Sequence, residues 1–169
     1  FARGAPSADL LPVEAVRSAA ETALDEDSTR ALSYGTGFGH PGLCEWIGER
    51  HDGIDASRVM VTNGSLEAGW MLFSNLLAPG DEVVVEQPSY DRTLLLLDKL
   101  GVDRIGVPLE DDGVDVDGIE RAIADGHNPK LVHIIPNFHN PAGCTLSEAK
   151  RRRLVELSDG RSLQTNLAL

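Results

Sequence analysis

The amino-acid sequence predicts an α/β fold in which a mostly parallel sheet is flanked by helices and preceded by a helical N-terminal segment. Short runs rich in Val and Ile alternate with longer segments whose apolar residues recur at helical spacing. The strand-like runs are almost continuously apolar, as expected of parallel strands that are covered on both faces. A chain of 169 residues with 41% hydrophobic residues can bury one core of ordinary size.

The first 55 residues are predicted to form helices joined by a glycine-rich loop. Pro12 is well placed to begin a helix over VEAVRSAAETALDED, and Pro41 begins a second one over PGLCEWIGERHDG that ends at Gly53. The intervening LSYGTGFGH has the composition of a loop.

From residue 58 onward the pattern changes to alternating strands and helices. Strands are predicted at RVMVT, EVVVE, DRIGVPL and KLVHIIP, and helices at SLEAGWMLFSNLL, YDRTLLLLDKL, DVDGIERAIADG and TLSEAKRRRLVEL. Thr145 and Glu148 have the spacing of a capping box for the last helix. The final SDGRSLQTNLAL is polar and predicts no further strand. The predicted organisation is an N-terminal arm with helices at 1–57, a partial α/β domain at 58–157 and a tail at 158–169.

Charge and composition narrow the classes of partner. The net charge of -12 argues against nucleic acid, because phosphate backbones are bound by clustered Lys and Arg. Only three of the 15 basic residues are lysines, and an acidic, lysine-poor surface suits a high-salt cytoplasm in which screening weakens carboxylate repulsion. A halophilic source is therefore one hypothesis, and an ordinary acidic protein is the other.

The two cysteines and the hydropathy pattern argue against a metal-binding, disulfide-linked or membrane protein. Cys44 and Cys144 are far apart and match no metal-ligand spacing, so we expect reduced thiols and no metal site. The sequence has no apolar run long enough to span a bilayer and no basic region followed by an apolar one at its start. A cytoplasmic location without membrane partners is the resulting expectation.

Three candidate binding positions follow predicted strands, where open parallel sheets bind their ligands. The first is Asn63-Gly64-Ser65, where the amides of Ser65 and Leu66 lie at the positive end of a helix dipole and suit a phosphate. Such a turn is more often only a helix cap.

The other two positions suit a flat ring. Tyr90 follows a Pro-Ser turn and is placed to stack on a ring, although a lone Tyr more commonly packs under its own helix. Asn140, held by Pro141, is placed to direct a hydrogen bond at a phenolic or carbonyl oxygen, and a plain Asn-Pro turn is the alternative. We interpret His139 as a neighbour of this position rather than a catalyst.

Together these positions describe a cup for a phosphorylated aromatic ring. The segment PGDEVVVEQPSY is followed by NPAG. With these two segments in this order, the sequence resembles the class I/II, fold-type I aminotransferases that use pyridoxal 5'-phosphate. The similarity is greatest to the aminoadipate and multi-substrate branch and to the aminotransferase-like domains of bacterial regulators. It extends from about residue 1 to 157 and implies an incomplete, aspartate aminotransferase-like large domain.

The resemblance also implies roles for individual residues and a homodimer. It assigns the cofactor phosphate to Ser65 and Leu66, ring stacking to Tyr90, the ring hydroxyl to Asn140, the phosphate of the neighbouring subunit's cofactor to Tyr34, and the vicinity of the substrate carboxylate to Gly4.

The family also needs a Schiff-base lysine and an acid facing the pyridine nitrogen, and the sequence offers neither in the family context. Lys99 and Lys150 fall on predicted helices, Lys130 opens a strand, and Asp159 lies in a loop sequence. No catalytic residue is therefore assigned. The sequence predicts a truncated aminotransferase, inactive alone, whose parent activity transfers an amino group between an amino acid and a 2-oxo acid. The alternatives are an effector-binding remnant of an aminotransferase-like transcriptional regulator and a non-catalytic interaction fragment.

Overall fold

The computed structural model describes residues 7–159 and 164–167, with side chains described for residues 7–158. The chain divides into two compact units, residues 1–62 and 63–169. Within the described ranges, no helix has the length and apolar character needed to cross a membrane.

The first unit contains the two predicted N-terminal helices. Helix α1 spans Val13–Leu32, five residues beyond the predicted end, with a non-helical backbone at Asp27. Helix α2 spans Pro41–Arg50 and begins with Pro41 as predicted. Single 3₁₀ turns lie at Ala8–Leu10 and Ala56–Arg58. The predicted organisation of this segment as helices and a loop is thus observed.

The strand predicted at RVMVT does not form. Residues 59–62 are irregular, and Val61 donates one hydrogen bond, 2.8 Å long, to the Phe38 carbonyl in the glycine-rich loop. A side chain on Gly39 would come within 2.8 Å of Val61 Cβ, so this glycine permits the close approach. Val61 therefore contacts a loop instead of a sheet.

The second unit contains a five-stranded sheet in the order β3-β2-β1-β4-β5. Strand β1 is parallel to β2 and β4, β4 is parallel to β5, and only the β2–β3 pair is antiparallel. The predicted mostly parallel sheet is thereby confirmed. The strands are β1 Glu82–Gln87, β2 Asp103–Glu110, β3 Gly113–Val114, β4 Leu131–Ile134 and β5 Gln164–Leu167.

Two helices cover each face of this sheet. The helices are α3 Ser65–Leu76, α4 Asp91–Leu100, α5 Val116–Ala124 and α6 Glu148–Asp159. Phe73 of α3 and Leu97 of α4 pack with Val83 and Val85 on one face. Residues of α5 and α6 pack on the other face, where Val84 points. Because burial of each such side chain contributes about 1.5–3 kcal/mol, the alternation along β1 stabilises both layers at once.

The polar tail corrects one expectation. Residues 164–167 form β5, whose register against β4 runs from Leu131 opposite Gln164 to Ile134 opposite Leu167. Strand pairing at a sheet edge uses backbone groups. The edge of β4 can therefore pair with a segment whose side-chain pattern does not predict a strand. Helix α6 also continues to Asp159, which the sequence placed in a loop.

The start of α6 also differs from the predicted one. Helix α6 begins after Ser147, whose Oγ accepts a 3.4 Å hydrogen bond from the Lys150 amide. Thr145 Oγ1 instead accepts a hydrogen bond from the Phe138 amide, 3.2 Å away, and braces the preceding loop. The capping box predicted for Thr145 and Glu148 is therefore wrong.

Candidate functional site

Strands β1 and β4 bring two of the predicted ring contacts to the same end of the sheet. The strands are parallel neighbours, with Val83 opposite Leu131, so the segments that carry Tyr90 and Asn140 leave the sheet at one edge. Helix α3 runs into β1 through a short turn, and such a reversal places the start of α3 at that same edge.

The start of α3 is open. Gly64 is the N-cap with φ +86°, and among the described residues no heavy atom beyond its chain neighbours lies within 4 Å of where its Cβ would be. Ser65 and Leu66 are exposed in the first turn, where backbone amides have no acceptor inside the helix. Glu67 Oε2 accepts hydrogen bonds from the Asn63 backbone, at 2.5 Å, and from its side chain, at 3.0 Å, which braces the turn. The geometry suits an anion approaching along the helix axis.

Tyr90 is the N-cap of α4 and is partly exposed. The preceding Ser89 has a buried Oγ that makes no hydrogen bond with the described residues. A partly exposed ring at a strand end is available to contact a flat ligand.

The turn that carries Asn140 is organised by His139. The His139 amide donates to the Cys144 carbonyl at 2.8 Å, and the Gly143 amide donates to the His139 carbonyl at 2.5 Å. The Ala142 amide donates to His139 Nδ1 at 3.2 Å. Asn140 itself is exposed, in a turn whose backbone is held by hydrogen bonds of its neighbour His139.

Arg151 of α6 secures both ends of the same loop. Its Nε donates to the Leu146 carbonyl at 2.9 Å, and its Nη2 donates to the Pro136 carbonyl at 2.9 Å and to Asn137 Oδ1 at 2.7 Å. The guanidinium thus joins the strand end, the loop and the helix that follows it.

Glu86 lies buried at the end of β1. It is 3% exposed, and its Oε2 accepts a 2.8 Å hydrogen bond from the Ile135 amide. His139 Nε2, also buried, lies 3.0 Å from the same oxygen without the angle of a hydrogen bond. Burial raises the pKa of the Glu86 carboxyl to about 7, and the Ile135 hydrogen bond opposes this rise.

The pKa values of two buried histidines, His133 and His139, shift in the opposite direction. Burial, with a smaller repulsion from His139, lowers the pKa of His133 to about 4. Burial also lowers the pKa of His139. The lowered pKa values favour the neutral form of both imidazoles. His133 also contacts the Phe73 ring edge-on, with ring centres 5.6 Å apart.

Sequence reasoning did not single out Glu86, although a signal was present. A carboxylate directly after three valines in a predicted buried strand is unusual and marks a group with a specific partner. His139 was interpreted as a neighbour of Asn140, and its ring contacts the amide two residues beyond Asn140.

A cavity of about 620 Å³ is lined by residues of β1, α4 and β2, with Glu86 among them. Gln87, Ser89 and Gly106 contribute to its lining, and Arg104 Nη2 pairs with Asp98 Oδ1 there at 3.1 Å. Neither Ser65 nor Asn140 lines this cavity.

The three lysines of the sequence lie elsewhere. Lys130 Nζ pairs with Asp81 at 2.9 Å beside the amino end of β4, and Lys150 Nζ pairs with Glu110 and Asp112, each at 2.5 Å. Lys99 is exposed in the last turn of α4, whereas Tyr90 precedes its first turn.

The two remaining predicted positions lie in the N-terminal part of the sequence. Tyr34 is fully exposed in the first unit, and Gly4 lies outside the described residues. In the part of the chain that the structure describes, no group of three His, Cys, Asp or Glu side chains could hold a metal ion.

A mostly parallel sheet whose carboxyl end carries an exposed helix start, a partly exposed tyrosine and an exposed asparagine has features that suit a phosphorylated, planar ligand. The sequence profile of the family described as aspartate amino-transferase matches residues 2–162. The chain therefore belongs to this family of fold-type I, pyridoxal-phosphate-dependent aminotransferases.

Individual relatives agree with this assignment. Aromatic-amino-acid aminotransferase 1 of Thermococcus litoralis is 36% identical over 168 residues, covering 94% of this chain and 40% of its own length. An uncharacterised HTH-type transcriptional regulator of Bacillus subtilis, YcxD, is 30% identical over 164 residues, covering 94% of this chain and 37% of its own length.

A solved relative has the same fold. The crystal structure of LysN, the α-aminoadipate aminotransferase of Thermus thermophilus, complexed with N-(5'-phosphopyridoxyl)-L-leucine, superposes with a TM-score of 0.89 at 30% identity. The match covers 98% of this chain and 42% of that chain. The chain thus spans about two fifths of the length of the relatives it matches.

Proposed function

We propose that this chain supplies the cofactor cup of an aminotransferase that transfers an amino group between an amino acid and a 2-oxo acid. The parallel pairing of β1 with β4 carries the proposal, because it directs the Tyr90 and Asn140 segments to one sheet edge beside the start of α3. The similarity to aminotransferases at 36% identity supports the same activity.

The residues present fit pyridoxal 5'-phosphate at three points. The open turn at Gly64 leaves room for the phosphate at the amides of Ser65 and Leu66. Tyr90 would cover one face of the pyridine ring, and the Asn140 amide would hydrogen-bond the ring hydroxyl. When bound, this cofactor acts as an electron sink for carbanion chemistry at the substrate α-carbon. The contribution of these residues is to bind the cofactor and fix its orientation.

The lysines limit what these 169 residues do by themselves. All three are paired or exposed away from the cup, so none is positioned to attack a cofactor aldehyde held there. We therefore propose that the chain alone binds pyridoxal 5'-phosphate without a covalent bond and does not transfer amino groups. A homodimer in which Tyr34 of each subunit reaches its partner's cofactor completes this proposal.

The regulator alternative has less support. The HTH-type regulator is less similar to this chain than the archaeal aminotransferase, at 30% against 36% identity.

Replacing Asn140 by Ala tests the ring contact. Loss of one oriented hydrogen bond to the cofactor is expected to weaken pyridoxal 5'-phosphate binding about tenfold, measured by equilibrium dialysis. Asn128→Ala is the matched control, because Asn128 lies before the amino end of β4, with its backbone amide donating to Glu82. Equal affinities of both variants and the wild type would refute the assignment of Asn140.

A further inference from the structure

Glu86 is a buried carboxyl that the proposed cofactor contacts do not use. Its side chain is 2% exposed, and that of His139 is fully buried. Among the described groups, the two that approach its Oε2 are the Ile135 amide at 2.8 Å and His139 Nε2 at 3.0 Å. A carboxyl is rarely buried without a specific partner, so these two contacts identify what it does.

The two contacts of Glu86 connect three parts of the site. Glu86 is in β1, Ile135 is the first residue after β4, and His139 is the centre of the turn that carries Asn140. One carboxylate oxygen therefore lies between the strand that leads to Tyr90 and the turn that presents the Asn140 amide.

We propose that Glu86 is a positioning residue that holds His139, and through it the Asn140 turn, in place for the ring hydroxyl of the cofactor. The proposal deepens the function proposed above and rests on it for the identity of the ligand.

The protonation of His139 supports this role. Because Nδ1 accepts the Ala142 amide, the neutral imidazole carries its proton on Nε2, the atom that faces Glu86. Replacing Glu86 by an apolar residue would remove the 3.0 Å contact between its Oε2 and Nε2, and the buried ring would be free to leave this orientation. The turn would then lose the acceptor that orders the Ala142 amide.

Arg151 and Glu86 act on different parts of the loop. Arg151 binds its two ends, at Pro136 and Leu146, from the side of α6. Glu86 contacts its centre from beneath through His139. The loop ends are therefore expected to remain ordered when Glu86 is replaced, while the centre loosens.

Amide hydrogen exchange measured by NMR tests this separation. In Glu86→Leu, exchange of the Gly143 amide, which donates to the His139 carbonyl, should accelerate about tenfold relative to the amides of β1. Glu86→Gln retains an oxygen acceptor and should stay within about twofold of the wild type. The His139 ring should also change from a single Nε2–H tautomer to an average of both in Glu86→Leu only, as read from its nitrogen shifts.

Glu82→Leu is the matched control. Glu82 begins the same strand and has the same kinds of partner, since its carboxylate contacts His127 Nδ1 at 2.7 Å and the Asn128 amide at 2.6 Å. Glu82 lies at the opposite end of the sheet, so its replacement by Leu should leave the ratio of Gly143 exchange to β1 exchange unchanged. Equal acceleration of all amides in Glu86→Leu, or no acceleration at Gly143, would overturn the proposal.

A second variant covers the case in which Glu86→Leu does not fold. Glu86→Asp keeps the carboxylate but withdraws it by one methylene, and a preferential acceleration at Gly143 of about threefold is expected. An unchanged ratio in that variant would also overturn the proposal. Pyridoxal 5'-phosphate affinity is measured in parallel: absence of binding by the wild type would refute the cofactor proposal, whereas the exchange ratio decides the role of Glu86 independently.

Discussion

At the scale of single residues, Glu86 and His133 give the folded chain opposite dependences on pH. Burial raises the pKa of Glu86 from 4.5 to about 7, so its contribution to stability is fully present below pH 4.5 and is lost as the pH rises towards 7. Burial lowers the pKa of His133 from 6.5 to about 4, so its contribution is present above pH 6.5 and is lost as the pH falls towards 4. Between these limits the two effects oppose each other.

Replacing Glu86 by Gln separates the two. Relative to the variant, the wild-type free energy of unfolding should fall by about 2–3 kcal/mol between pH 4.5 and 7, because ionising a buried carboxyl costs roughly 1.4 kcal/mol per pKa unit. Urea unfolding at several pH values measures the difference. Glu82→Gln is the control, since hydrogen bonds from His127 and the Asn128 amide lower the pKa of Glu82 and remove any such fall. A pH-independent difference for Glu86→Gln would contradict the assigned burial effect.

At the scale of secondary-structure elements, Asp115 determines where α5 begins. Its Oδ1 accepts a 2.9 Å hydrogen bond from the Gly118 amide, and its Oδ2 lies 2.6 Å from Arg121 Nη2. The Gly118 hydrogen bond is the main cause of the lowered pKa of Asp115. The helix start is therefore capped by a charge that favours the positive end of the helix dipole.

Asp115→Ala should lower the free energy of unfolding by about 1 kcal/mol, the usual value of an N-cap. Because the folded pKa is lowered, the loss should be full above the usual value of 3.8 and should shrink as the pH falls below it. Asp125→Ala, at the C-cap of the same helix, should be neutral or slightly stabilising. Equal thermal shifts for both variants would show that Asp115 is not the cap.

The elements also show which features of the fold were accessible from sequence. Strands β1, β2 and β4 and helices α3 to α6 were predicted, because continuous apolar runs and helical periodicity report burial directly. RVMVT carries the same signal as a strand but packs on a loop, whereas QTNL carries none and pairs with β4. Strand formation depended on the availability of a partner edge, which local pattern does not encode.

The candidate site also has residues that the sequence pointed to and contacts that it did not predict. Tyr90 and Asn140 could be proposed from the sequence because each lies four residues beyond a predicted strand, and parallel neighbours end at one edge. The contact between Glu86 and His139 joins residues 53 positions apart and depends on the spacing of β1 and β4. The sequence signalled an unusual carboxylate but not its partner.

At the scale of the whole molecule, the net charge of -12 sets the response to salt. Several ion pairs in the described residues join two exposed side chains, as in Arg17–Glu14 and Arg152–Glu148, and exposed pairs contribute little to stability. Repulsion among the surplus carboxylates is therefore weakly compensated at low ionic strength.

We propose that the chain is adapted to high salt and expect its melting temperature to rise steadily as KCl increases from about 0.1 M to about 2 M, beyond the concentration at which simple screening saturates. Calorimetry measures the change, and sucrose of equal osmolality is the uncharged control. Full stability at low salt, with no further gain on adding KCl, would remove the halophilic hypothesis.

The central claim is that this chain forms a cup for pyridoxal 5'-phosphate without a lysine to bind it covalently. The most direct test is the visible absorption spectrum of the purified chain with added cofactor, before and after borohydride, together with the intact mass. We expect a saturable change in cofactor absorbance that inorganic phosphate competes away, and an unmodified mass after borohydride. A stoichiometric reduced adduct on Lys99, Lys130 or Lys150, or the absence of any saturable change, would contradict the claim.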